Sequence, residues 1–153
     1  MKDFAPAGFT AGPCLFKDTM QLASFGQNHF FLGHNAMLIN EGMPAVVLEK
    51  LKKEIGQNLR GKNIGLLGMT FKANNDDIRE SLSFKLKKLL ELQGCKVYCH
   101  DPYLKEEDFL LIEFFSLDQM DKLDAVILST PHDLYQKIEI PVQLTYINIW
   151  CNQ

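Results

Sequence analysis

Two short stretches of this 153-residue chain put reactive and charged side chains where chemistry could be done. The first is Gly12-Pro13-Cys14-Leu15-Phe16-Lys17-Asp18-Thr19. A thiol in a Gly-Pro loop just ahead of a helix can be ionised by the helix's N-terminal dipole and by a neighbouring lysine. Asp18, within the same turn, could orient or bind a water, so Cys14 reads as a nucleophile with help close by. The same position also suits a small apolar side chain in a loop. The second stretch is Phe71-Lys72-Ala73-Asn74-Asn75-Asp76-Asp77-Ile78-Arg79-Glu80-Ser81. Lys72 and Arg79 place two cations near a helix N-terminus, a setting suited to phosphate, with Asp76, Asp77 and Glu80 to balance and orient them. The competing reading is a solvated charged loop.

Other candidates carry less. Gly65-Leu66-Leu67-Gly68 lacks the full G-x-G-x-x-G, and a long polar loop separates it from the next helix, so a close pyrophosphate cradle is not expected there. Cys95 and Cys99 lie in a run that reads as a strand. Residues four apart on a strand are roughly 13 Å apart, too far to share one zinc with bonds of about 2.3 Å. No metal site is expected, and Cys14, Cys95, Cys99 and Cys151 read as free thiols. Nothing in the spacing of His29 or His34 sets an imidazole against Cys14. His100 and His132 fall at strand ends, where they read as satisfied surface histidines.

These side chains need elements to position them. Residues 1–16, with Ala5-Pro6-Ala7-Gly8 and Ala11-Gly12-Pro13, are turn chemistry. A short helix is expected over 17–25 and a long one over 31–59. Ala36, Ile39, Met43, Val47 and Leu51 recur at spacings of three or four, which marks one buried stripe. Gly42 and Pro44 predict a kink, and Glu49 with Lys53 an ion pair on the solvated side. After a polar hinge at 59–63 the pattern alternates. Strands are expected at 64–69, 96–101, 124–130 and 145–150, with a helix over 81–93 and a short one over 132–137. Ser81 suits the helix start and Gly94 its stop. Strands alternating with helices predict an α/β fold, an open Rossmann-like parallel sheet over 60–153, preceded by a long helix. Ligands of such sheets sit beyond the strands' carboxyl ends, here residues 68–80, 101–102 and 129–133.

Composition narrows the partners. The chain is 46% hydrophobic and 23% charged, a globular balance. A formal charge of -3 leaves no footprint for nucleic acid. No apolar run approaches bilayer length and no signal peptide opens the chain, so no membrane contact is expected and the default location is cytoplasmic.

Taken together, the two reactive stretches resemble a known family. Gly12-Pro13-Cys14-Leu15-Phe16-Lys17-Asp18 is similar to the catalytic-cysteine segment of the UDP-glucose/GDP-mannose dehydrogenases, the nucleotide-sugar 6-dehydrogenases. Gly65 to Ser81 resembles the opening of that family's C-terminal nucleotide-sugar domain. Asn40-Glu41 looks like the Asn-Glu of its central helix, and Tyr98-Cys99-His100-Asp101-Pro102 is similar to its Tyr-Asp-Pro. The resemblance implies that residues 1–59 are the catalytic-cysteine loop with part of the central helical dimerisation domain, and that 60–153 bind a UDP- or GDP-linked sugar. It implies that Cys14 attacks the C6 aldehyde made by a first hydride transfer, that a second transfer leaves a thioester, and that Asp18 assists the water. Lys17 would lie on the cofactor or substrate side, Gly12, Phe71 and Lys72 would meet the nucleotide sugar, and Arg79 the cofactor. The implied cofactor is NAD, the implied assembly a homodimer through the long helix, and the family's common use surface polysaccharide synthesis. Three positions depart from the family pattern: Phe16 for Pro, Asn75 for Thr and Asn148 for Asp. The family's NAD-binding domain, half of its central domain, and that domain's Lys and Asn have no counterpart in this sequence. The chain is therefore expected to be inactive without a separate N-terminal half. The alternative is a non-catalytic nucleotide-sugar-binding or interaction module derived from the same family.

Overall fold

A computed structural model describes residues 8–27, 29–105 and 112–150. The turn chemistry at Ala5-Pro6-Ala7 and the thiol of Cys151 lie outside the described residues. Two helices come first, α1 (Leu15–Phe25) and α2 (Phe31–Ile55). A sheet domain follows: β1 (Asn63–Leu67), α3 (Leu82–Leu92), β2 (Lys96–His100), β3 (Glu113–Phe114), β4 (Ala125–Leu128) and β5 (Thr145–Asn148). Its strands lie in the order β3-β2-β1-β4-β5, every pair parallel. The α/β class and the Rossmann-like sheet expected from the alternation are what the chain forms.

β1 sits in the middle, with Ile64 against Val97 of β2 on one side and Ala125 of β4 on the other. Both its faces are covered, and so are those of the wholly buried β4. That is why both segments read as continuous apolar runs rather than alternating ones. One face carries α3 through Leu82, Leu86 and Leu90, with Val47, Leu48 and Leu51 of α2 in the same core. The other face is closed by Phe115, Met120, Tyr135 and Leu144. Ser81 caps α3 as expected, its Oγ accepting from the Ser83 N–H at 3.3 Å. Gly94, just past the helix's end, takes φ +84°.

Several boundaries differ from the pattern reading. α1 begins two residues earlier, at Leu15. α2 runs unbroken through Gly42 and Pro44 and ends at Ile55, and Lys52 rather than Lys53 pairs with Glu49, at 2.9 Å. The predicted stripe divides. Val47 and Leu51 are buried and Met43 is partly covered, while Ala36 and Ile39 face outward. β3 escaped the sequence reading because two residues are too few to show a period. The short helix expected at 132–137 is a 3-10 turn, Asp133–Lys137, and a second covers Leu117–Lys122.

Candidate functional site

The connection from β1 to α3, residues 68–81, is the site's frame. Gly68 opens it with φ +90°, and a Cβ there would come within 2.4 Å of Thr130 Cβ and 2.6 Å of Thr130 O. Only glycine lets β1 turn so close to the end of β4. From there the loop is fastened on both sides. The Asp101 carboxylate, at the end of β2, accepts from the Met69 N–H (2.7 Å), the Thr70 N–H (3.2 Å) and the Tyr103 N–H (2.9 Å). The Thr130 hydroxyl donates to Thr70 O at 2.6 Å, and the Phe71 N–H to Asp77 O at 3.0 Å. Burial alone would raise the Asp101 carboxyl. Hydrogen bonds from His132, Met69 and Tyr103 outweigh it and hold the group below the ordinary carboxylate range.

This fastening presents Phe71 and Lys72 to one side. Lys72 is exposed, and no carboxylate among the described residues pairs with it. Phe71 packs on Gly12, where an added Cβ would stand 3.0 Å from its ring and where φ is +124°. Gly8 lies in the same way against the Trp150 indole. Asn40 Nδ2 donates to Thr10 O at 2.5 Å, and Lys85 of α3 bonds both the carbonyl (2.7 Å) and the carboxylate (3.2 Å) of Glu41. The Asn40-Glu41 pair thus ties the cysteine loop and α3 to α2. Between Phe71-Lys72 and the residues just ahead of the cysteine stretch lies a cavity of about 280 Å³, lined by Thr10, Ala11, Phe71, Lys72, Pro131 and Trp150, among others.

Cys14 is the N-cap of α1, with an exposed thiol and no side-chain cap bond. Lys17 and Asp18 pair with each other at 3.4 Å, both well exposed. Arg79 forks onto Asp77, with Nη2 at 2.6 Å from Oδ2 and Nε at 3.0 Å from each carboxylate oxygen. That bond lowers Asp77 and is the main cause that raises Arg79. The structure brings Gly12, Phe71 and Lys72 together. Asp76 and Glu80 make no ion pair with Lys72 or Arg79 among the described residues.

Two histidine expectations need correction. His132 is fully buried, and His100 is partly buried with Nδ1 at 2.9 Å from Tyr135 Oη. Sequence placed them at strand ends but could not show that Tyr135 and Tyr103 pack over them. Burial lowers His100. No hydrogen bond among the described residues joins His29 or His34 to Cys14. Cys95 and Cys99 are buried free thiols, Cys99 pushed up to about 12 by burial, and no group of three metal ligands occurs among the described residues. Trp150, the chain's single tryptophan, went unnoticed in the sequence because it reads there only as a strand end. No described helix is long and apolar enough to cross a membrane.

A dinucleotide does not fit the β1–α3 turn. Gly68 is already against Thr130, and the long loop from there to the Ser81 cap replaces the tight glycine turn that would cradle a pyrophosphate. The sheet has the strand order of a dinucleotide fold without that cradle.

The sequence model for the UDP-glucose/GDP-mannose dehydrogenase family, UDP binding domain, matches residues 65–146. A UDP-glucose 6-dehydrogenase of Rickettsia bellii is 28% identical over 146 residues, covering 88% of this chain and 33% of that protein. A UDP-N-acetyl-D-mannosamine dehydrogenase of Methanocaldococcus jannaschii is 30% identical, over 88% of this chain and 30% of its own length. The solved UDP-glucose dehydrogenase of Pyrobaculum islandicum superposes with a TM-score of 0.83 at 27% identity, over 92% of this chain and 34% of that one. The chain spans about a third of the length of these relatives.

Proposed function

Because the chain belongs to the UDP-glucose/GDP-mannose dehydrogenase family through its UDP-binding domain, we propose that it forms the nucleotide-sugar half of a 6-dehydrogenase site. The observation that carries this is that the Phe71-Lys72 segment shares one cavity with Thr10 and Ala11, just ahead of the cysteine stretch, while Gly12 packs on Phe71. Lys72, free of carboxylate partners among the described residues, would meet the diphosphate, and Phe71 with Gly12 would wall the nucleotide. Cys14 would attack a C6 aldehyde: the S–C bond forms as the carbonyl π bond opens, and the oxygen takes up a proton. The Cys14 thiol that would make this attack is exposed at the N-terminus of α1. Once that adduct is oxidised to a thioester, with NAD held outside this sheet as the oxidant, Asp18, with Lys17, would hold the water that hydrolyses the thioester to the acid and frees the thiol. NAD has no cradle in this sheet, so its hydride chemistry belongs to a separate domain, and the chain alone would bind sugar nucleotide without oxidising it.

A second reading, binding without chemistry, is favoured by one observation: no imidazole or carboxylate among the described residues hydrogen-bonds the Cys14 thiol. The exposed apolar faces of the first two helices suit the expected homodimer, with Phe25 of α1 89% exposed and Leu32 and Ile39 of α2 79% and 70% exposed. Calorimetric titration with UDP-glucose, GDP-mannose and NAD, beside a Lys72→Ala variant, tests the proposal. Binding of one nucleotide sugar, lost in the variant, is the expected result. Binding that survives in Lys72→Ala, or that occurs with NAD alone, would overturn it.

A further inference from the structure

We infer that His132 is a positioning residue, locked as the neutral Nε2–H tautomer, whose Nδ1 lone pair holds the Lys72 segment in its binding shape. His132 is wholly buried behind β4. Its Nδ1 lies 2.9 Å from the Asn74 backbone nitrogen, an N–H that can only donate. Nδ1 must therefore be the bare, accepting nitrogen, and the ring proton sits on Nε2. That side matches: Nε2 is 3.1 Å from Asp101 Oδ2 and 3.2 Å from Thr70 Oγ1. Thr70 spends its own hydroxyl proton on Lys72 O at 3.0 Å, so its oxygen is free to accept from the ring. Every donor on this line has an acceptor, and the order of protons from Asn74 to Asp101 is fixed by the two ends.

The line brackets Lys72. Thr70 on one side and Asn74 on the other are both bonded to the same imidazole, and Lys72 lies between them. Asn74 takes φ +56°, a region that asparagine enters more readily than other non-glycine residues. Its side chain adds a second tie, Oδ1 accepting from the Asp133 N–H at 3.1 Å. A buried ring touching no ligand thus sets where the lysine's backbone stands.

This inference rests on the nucleotide-sugar reading for its consequence in binding, but not for the clamp itself. The test uses the full chain in two substitutions that divide the ring's roles. In His132→Asn the Oδ1 can replace Nδ1 as acceptor for Asn74, whereas in His132→Gln the longer amide reaches Asp101 and leaves Asn74 unmet. Nitrogen-detected NMR of the wild-type histidines should show the His132 proton on Nε2. Hydrogen exchange should show the Asn74 amide protected in wild type and His132→Asn, and released about tenfold or more in His132→Gln. The amides of Leu66 and Ile127 should be unchanged in all three. UDP should bind about tenfold more weakly to the Gln variant than to the Asn variant. A proton on Nδ1, an unprotected Asn74 amide in wild type, or Gln and Asn variants alike in exchange would overturn the clamp. Asn74 released with UDP affinity intact would overturn its link to Lys72. If wild type binds no UDP while Asn74 follows the expected pattern, the nucleotide-sugar reading fails and the clamp stands. Should the Gln variant not fold, the wild-type tautomer and the Asn variant still decide the matter.

Discussion

Replacing Asp101 should cost more stability than any other single polar change in the sheet domain. Its side chain is fully buried, and the carboxylate accepts from four donors: the amides of Met69, Thr70 and Tyr103 and the ring of His132. In Asp101→Asn the shape survives, but whichever way the amide turns, its NH2 faces at least one backbone N–H. The charge that strengthened the remaining bonds is also gone. One clashing donor and weaker bonds put the loss at about 2–3 kcal/mol. Asp101→Ala strands all four donors and should lose about 4 kcal/mol. At about 2–4 °C per kcal/mol for a chain of this size, the melting midpoint falls by roughly 4–12 °C in Asn and further in Ala. The pH dependence has a definite sign. The folded Asp101 carboxyl lies below its unfolded value of 3.8, so its contribution is complete above that pH. It is lost as pH falls from there through the folded value, where stability declines faster in wild type than in Asp101→Asn. Urea unfolding followed by circular dichroism at pH 7 and in steps below pH 5 measures both effects. An Asn variant with the wild-type midpoint at pH 7, or acid curves that run parallel, would refute the reasoning.

Two further changes follow from single contacts. Gly68→Ala should unfold the chain or cost at least about 3 kcal/mol, because its Cβ would meet backbone and side-chain atoms of Thr130 at φ +90°; a urea midpoint within error of wild type would contradict this. Ile39→Glu should abolish the self-association proposed above while leaving the circular dichroism spectrum intact, since Ile39 is 70% exposed on α2; sedimentation velocity that shows the same mass before and after would count against that face as the contact.

The sheet was legible where its signal was long. Residues 63–67 and 125–128 are covered on both faces, which leaves an uninterrupted apolar run, and Ser81 with Gly94 brackets α3 in the sequence itself. The two-residue β3 and the 3-10 turns have too little periodicity to be seen. The charged stretch around Lys72 and Arg79 was legible as a group, but its internal pairing was not. That Asp77 takes Arg79, with no carboxylate among the described residues on Lys72, depends on a turn in which Asp77 and Arg79 share backbone as well as side-chain bonds. His132 and Trp150 were the larger misses. Each gains its role from residues about sixty to more than a hundred positions away, Asn74 and Thr70 for the first and Gly8 for the second, and no local pattern carries such contacts.

The strand order has a consequence for synthesis. β1 is central, yet both strands that flank it are made after it, and its partner in β4 begins with Ala125, some sixty residues downstream. At translation rates of about 5–20 residues per second, roughly 3–12 s separate the two. During that interval β1, α3 and β2 can already associate, leaving one row of β1 amides and carbonyls with no strand beside it and the apolar surface beneath uncovered. The Lys62–Asp124 bond at 2.8 Å and the Asn63 amide on the same carboxylate lie where that open edge finally closes. The nascent chain is thus most exposed to wrong pairing just before Asp124 arrives, so slowed elongation between β2 and β4 would raise aggregation without altering a single contact of the finished protein.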